Sequence, residues 1–323
     1  MTVLDLDHVG PLHAEPLLGA LAAHSLARVQ VTEREGTAQE SADRESKVRG
    51  SVRRLLDLDG LDVKVTVRIQ DGGVSLELPD DVDAARVELA RTAVRRWFDL
   101  DLDPTAVHAR LGDDPRLAPL LAARPGLRIV GHPDPFEAAM TTVMGQRVSL
   151  AAGRVFGARF VDHFAPRIAG PGDLVPFPLP SVVAAADPAE LQRAIGVTGA
   201  RARCLVELAR LFADGLDPVR EDPGLVRRTL LAVPGIGPWT VEYLAVRVLG
   251  DRDAYPSGDL VLQRALGVRT ASEAEALAEG WRPWRAYALF HLWTHESYVP
   301  GGGVRQTGDP RAGGLVPTEP TGP

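Results

Sequence analysis

The chain has 323 residues, 45% of them apolar, enough for about two domains with sizeable cores. No run of about 18 apolar residues offers a membrane span, and the single cysteine, Cys204, excludes an intrachain disulfide, a four-cysteine iron–sulfur site and a multi-cysteine zinc site. The net charge of −7 argues against a uniformly basic nucleic-acid binder, but such binding needs only local positive potential, and residues 193–250 hold eight arginines against six acids.

The first ten residues, MTVLDLDHVG, contain acids and no basic-then-apolar pattern. No secretory signal is expected, and the chain is read as soluble and cytoplasmic. Residues 26–33 alternate apolar and polar positions as a strand does, and the polar stretch 34–48 is expected to be a loop or a longer hairpin arm. From Leu61 to Ile69 the apolar residues fall on every second position. Asp71-Gly72-Gly73 then turns the chain and 74–78 alternates again, which predicts a β-hairpin. A helix is expected over 83–98 with Val87, Ala90, Val94 and Trp97 on one face. Residues 1–110 are therefore read as an α+β domain.

From about residue 115 the pattern becomes helical. Asp134-Pro135 is a capping residue followed by proline at the first helical position, and it opens a helix to about Met144. A second helix is expected from Ser149 to about His163. Asp187-Pro188 repeats the start signal, 199–213 is amphipathic, Ser272 and Glu275 are spaced as a capping box, and 283–298 reads as the last helix. Residues 111–299 form a helical region, and the Gly/Pro-rich segment 300–323 is expected to be a disordered tail.

The most informative segment is Pro234-Gly235-Ile236-Gly237-Pro238-Trp239-Thr240. A helix ends, two glycines make a tight turn, and Pro238 opens a new helix where a missing N–H costs nothing. Glycines let backbone N–H groups approach a ligand closely, and the positive end of the next helix points the same way. That suits one phosphate of a DNA backbone. The ordinary alternative is a plain helix–turn–helix connection. Tyr243 stands one helical turn beyond Trp239, and Tyr255-Pro256-Ser257-Gly258-Asp259-Leu260 comes after it. This set resembles the helix–hairpin–helix glycosylase superfamily, and its AlkA-type DNA-3-methyladenine glycosylase II branch most closely. Ala122 to Arg128, Gly145-Gln146-Arg147-Val148-Ser149, and Trp281 to Leu289 with Trp293 agree with the same branch. The resemblance covers about 85–299 strongly and 12–84 loosely. It implies a small α+β N-terminal domain of the TATA-binding-protein type, joined to an all-α helix–hairpin–helix glycosylase fold.

The resemblance also implies roles. Asp259, at the start of a helix whose dipole favours an anion, takes the position of the catalytic aspartate; a plain helix cap is the simpler reading. Trp239 and Tyr243 share a helix face and, with Trp293, match the aromatic walls of the base pocket, where a cationic methylated purine is attracted to ring faces. Packing in the core is the simpler reading for them. Pro234, Gly235, Ile236 and Gly237 match the DNA-binding hairpin. Gln146 and Arg147 match the wedge that fills the gap left by a flipped base, although the family's wedge is usually apolar and Arg147 is not. Ala20 stands where the family often supplies an aromatic pocket residue. Arg201 and Arg203 are read as phosphate contacts or as solvated charge. Strand-nicking members carry a lysine where this chain has Trp239, and the only lysines are Lys47 and Lys64. A monofunctional glycosylase is therefore expected, acting as a monomer on damaged double-stranded DNA. It needs no cofactor; a monovalent cation between hairpin and phosphate is the one ion the resemblance admits. The alternatives are a glycosylase/lyase and a non-catalytic helix–hairpin–helix DNA-binding protein.

Overall fold

The computed structural model describes residues 1–35, 48–165 and 174–298. The tail at 300–323 and most of the polar stretch 34–48 lie outside them. Five strands, β1 (Thr2–Leu6), β2 (Gln30–Glu35), β3 (Arg49–Asp57), β4 (Asp62–Gln70) and β5 (Gly73–Leu78), form one antiparallel sheet in the order β1-β5-β4-β3-β2. The predicted hairpin is β4–β5, paired from Gln70↔Gly73 outward, with Gly72 at φ +79° in its turn. The same turn serves a second purpose. Asp71 Oδ1 accepts the backbone N–H of Ala14 at 2.8 Å, so the hairpin supplies the cap that His13 does not give to α1 (Ala14–His24). The alternation seen at 26–33 becomes a strand only from Gln30 on; residues 27–29 turn into it.

The helices come next along the chain: α2 (Ala84–Trp97), α3 (Pro104–Leu111), α4 (Ala118–Ala123), α5 (Pro135–Gly145), α6 (Leu150–Phe164), α7 (Pro180–Ala184) and α8 (Pro188–Ile195). Then come α9 (Gly199–Ala213), α10 (Pro223–Leu231), α11 (Pro238–Arg247), α12 (Leu260–Leu266), α13 (Ala271–Ala278) and α14 (Arg285–Trp293). Four of them open on Asp-Pro. Asp103, Asp134, Asp187 and Asp222 each accept a backbone N–H of the first turn while proline occupies a position with no partner to lose. The predicted capping box is displaced. Thr270 and Glu273 form it, and Glu275 is drawn instead to Arg285 at 2.5 Å. The last helix is shorter than expected: it begins at Arg285, after a cis Arg282–Pro283 bond, and passes into a π turn over Thr294–Tyr298.

Two cores result. One joins the sheet (Val65, Val67, Leu76) to Val94 and Trp97 of α2, Val107 and Leu111 of α3, and Tyr287 and Phe290 of α14. The other is made by α5, α6, α9 and α11 through residues such as Met140, Phe160, Leu205 and Leu244. The chain thus builds most of the first core up to Val130 and most of the second from Phe136 to Leu244, then returns mainly to the first from Ala245, while Leu26 and Val29 of the N-terminal part pack in the second. Helices α11 and α14 bring residues of both cores to one cleft.

Candidate active site

Asp259 caps α12, and its carboxylate accepts from three donors. Oδ1 takes the backbone N–H of Leu262 at 2.9 Å and the indole N–H of Trp293 at 3.0 Å; Oδ2 takes the indole N–H of Trp239 at 3.2 Å. An ionised carboxylate only accepts, so donors on both oxygens fix its orientation. The side chain that caps α12 is also the one that faces the two indoles. Trp239 stands in the first turn of α11, directly after the hairpin. Tyr243, one turn on, stacks on it at 5.4 Å between ring centroids, and lies 5.7 Å from Trp293 at the end of α14. The three predicted aromatics and Asp259 therefore converge, although they come from three separate helices.

They line a cavity of about 320 Å³ whose other walls include Thr142, Gly145, Val148 and Leu150. Residues that sequence reasoning missed supply its polar part: His24, Glu137, Arg247 and Tyr298. Ala20, the expected gap in the pocket wall, is 1% exposed and belongs to the first core. His24, one helical turn further along α1, lines the cavity instead, and its Nε2 lies 3.1 Å from the Tyr298 hydroxyl. Once 14–24 is a helix, the i, i+4 relation places His24 on the face of Ala20.

Glu137 is tied to Arg54 of β3 at 2.5 Å, with side chains 4% and 3% exposed, and its other oxygen lies 3.5 Å from His132. Burial alone would raise the Glu137 carboxyl; Arg54, and then His132, outweigh it and hold it down at about 2. Burial, then Arg247 and His132, keep the His24 imidazole well below the ordinary histidine value. Among the described residues no group of three or more His, Cys, Asp or Glu side chains is arranged to hold a metal ion.

The hairpin lies between α10 and α11. Gly235 adopts φ +102°, and a Cβ there would meet Cys204 Sγ at 3.1 Å, so both conformation and space favour glycine. Pro234 and Gly235 face outward, whereas Ile236 is buried in the second core and anchors the turn. Gly237 caps α11 with no side-chain partner, and a Cβ on it meets nothing within 4 Å. Gln146 does not stand free as a wedge. Its Nε2 donates to the Gly235 carbonyl at 3.2 Å and to Thr240 Oγ1 at 2.9 Å, while Arg201 donates to its backbone carbonyl at 2.6 Å. This joins the α5–α6 loop to the hairpin and uses Arg201 internally. Arg147, next to it, is exposed and holds φ +55°.

Residues 3–134 match the family model described as the AlkA N-terminal domain. Over 207 residues the chain is 36% identical to the Escherichia coli protein named DNA-3-methyladenine glycosylase 2, covering 64% of this chain and 71% of that one. It is 37% identical over 218 residues to the "probable bifunctional transcriptional activator/DNA repair enzyme AlkA" of Mycobacterium tuberculosis, of whose length it spans 42%. Among solved structures, a 3-methyladenine DNA-glycosylase from Archaeoglobus fulgidus shares its fold, with a TM-score of 0.72 at 19% identity over 91% of this chain and 98% of that one.

Proposed function

The chain belongs to the DNA-3-methyladenine glycosylase II family, and from that premise we propose that it is a monofunctional DNA glycosylase of base excision repair. It flips alkylated purines out of duplex DNA and hydrolyses their N-glycosidic bonds, leaving abasic sites. The observation that carries this reading is the convergence of two indole N–H groups on Asp259 in the wall of an aromatic cavity. When the bond between C1′ and the base breaks, the electron pair leaves with the base and positive charge develops on the sugar. A carboxylate held in place before reaction stabilises that charge without reorganising. Water then adds its oxygen to C1′ and gives up a proton. A base alkylated on a ring nitrogen departs neutral, and before it departs its charge is attracted to ring faces by roughly 0.5–2 kcal/mol each.

Other parts of the chain hold the DNA. The hairpin N–H groups and the N-terminus of α11 receive a phosphate, and Arg147 enters the gap left by the base while Gln146 braces the loop behind it. An imine with the sugar needs an amine in reach. The cavity walls include no lysine, the position after the hairpin holds Trp239, and Lys64 is exposed on β4. Lys47 lies outside the described residues. The chemistry requires no metal; a monovalent cation at the hairpin would serve phosphate binding alone. The enzyme acts as a monomer, in the cytoplasm. The test is to incubate the protein with methylated duplex DNA and identify released bases by mass spectrometry. Alkylated purines should be released, alkali should then break the strand at the same sites, and borohydride should trap no covalent complex. A trapped complex would establish a lyase instead, and absence of any released base would leave a DNA-binding protein.

A further inference from the structure

Four arginines of the described chain are buried: Arg54, Arg128, Arg247 and Arg285. A guanidinium keeps its charge, and burying it is costly unless acceptors replace its water. Arg54 has the Glu137 carboxylate at 2.5 Å. Arg285 has Asp253 at 2.9 Å and Glu275 at 2.5 Å. The Nη atoms of Arg128 reach backbone carbonyls, among them those of Leu102 at 2.5 Å and Pro11 at 3.1 Å, and of its nitrogens Nε alone is buried without an acceptor among the described residues. Arg247 differs. It is 5% exposed, its Nε and Nη1 are buried without an acceptor, and among the described residues no carboxylate or carbonyl pairs with it. Among the described residues the Tyr298 hydroxyl is the polar group that faces it. It is otherwise held by ring faces, with Cζ 5.8 Å from the Tyr243 centroid and 6.0 Å from that of Phe290.

This uncompensated cation lines the base cavity. Its position has two electrostatic consequences. The Tyr243 ring already serves one cation, and a second cation entering the cavity is repelled by the first. Conversely, a neutral base whose edge carries a carbonyl oxygen or an unsubstituted ring nitrogen brings the acceptor density that the guanidinium lacks. The charge preference of the cavity is then a balance: Asp259 and the indoles of Trp239 and Trp293 draw positive charge, and Arg247 opposes it.

We propose that Arg247 is a specificity-determining residue that limits the cavity's preference for cationic purines over neutral damaged bases with an acceptor edge. This rests on the glycosylase reading above. The experiment measures single-turnover base release from duplexes carrying one 7-methylguanine (cationic) or one hypoxanthine (neutral), each relative to its uncatalysed rate. The unmodified protein should release both bases. Arg247→Met, which keeps the length of the side chain and removes the charge, should raise the ratio of 7-methylguanine to hypoxanthine release by about tenfold, as expected for loss of one nearby charge at intermediate dielectric. Arg247→Gln, which keeps a donor, gives the same comparison should Arg247→Met melt below the assay temperature. An unchanged or lowered ratio in a folded variant, or no release of hypoxanthine by the unmodified protein, would overturn the assignment and leave Arg247 a packing residue. Failure of the unmodified protein to release either base would overturn the glycosylase reading itself, and this inference with it.

Discussion

Asp259 accepts three N–H groups through two oxygens, and an asparagine offers only one accepting oxygen in their place. Asp259→Asn is therefore expected to abolish base release, through loss of the negative charge, while binding to DNA with an abasic-site analogue persists. Release at near the unmodified rate would remove Asp259 from the chemistry. The indole contacts allow a finer test. Trp293→Phe keeps an aromatic ring in the wall and deletes the donor that fixes Oδ1. A hydrogen bond to a charged group is worth about 1.5–3 kcal/mol, so kcat should fall by roughly 10- to 100-fold while KM changes little. Single-turnover kinetics on one defined lesion measure this; a rise in KM alone would mean that Trp293 only packs against the base. At this scale the site was largely legible. Asp259, Trp239, Tyr243 and Trp293 all stand in the cavity wall. Glu137 and Tyr298 reach the cavity from distant segments by packing, which local spacing does not record; His24 and Arg247 each stand one helical turn beyond a residue already singled out, Ala20 and Tyr243, so the spacing that places them was present in the sequence.

The hairpin belongs to the scale of elements. Gly237 has open space where a side chain would project, so Gly237→Asp should fold normally and place an acid at the backbone site meant for phosphate. Affinity for all DNA sequences should drop by a similar factor, with the largest loss at low salt. Unchanged affinity in a fluorescence-anisotropy titration would make the hairpin merely structural. Gly235→Ala has the opposite character. The left-handed backbone and Cys204 at 3.1 Å both resist a Cβ, so that variant should lose stability, by about 1–3 kcal/mol for a strained residue of this kind, before it loses DNA affinity. Elements with strong local signals were readable: β4–β5 from alternation, α5 and α8 from Asp-Pro, and α9 from its amphipathic face. The strands β1 and β3 and the helix α1 escaped. Arg53 and Arg54 interrupt the apolar pattern of β3, and α1 takes its cap from Asp71 in a distant turn instead of from its own sequence.

Across the whole molecule, the sheet and the helical part meet at Arg54 and Glu137. Removing one partner of a buried ion pair leaves the other charged and unpaired, which typically costs about 3–5 kcal/mol. Arg54→Met should lower the denaturant midpoint accordingly and disturb the cavity wall at the same time. The Glu137 carboxyl is held at about 2 in the folded chain against an ordinary 4.5. Its contribution is thus fully present above pH 4.5 and disappears as pH falls through 2. The melting-temperature gap between the unmodified chain and Glu137→Gln should be widest near neutrality and close between those two pH values; a gap independent of pH would contradict the ionised pair. The bridge also restricts modular exchange. A chimera that takes its first hundred residues from another glycosylase inherits a foreign partner for Glu137. Unless the donor sheet carries an arginine at the register of Arg54, or Glu137 is neutralised in the same step, the graft will join well-formed halves around a stranded charge. Compatibility of the front half with the pocket is therefore tested at this pair, as at the Asp99 contacts to Arg252 and Tyr287, before any lesion is presented.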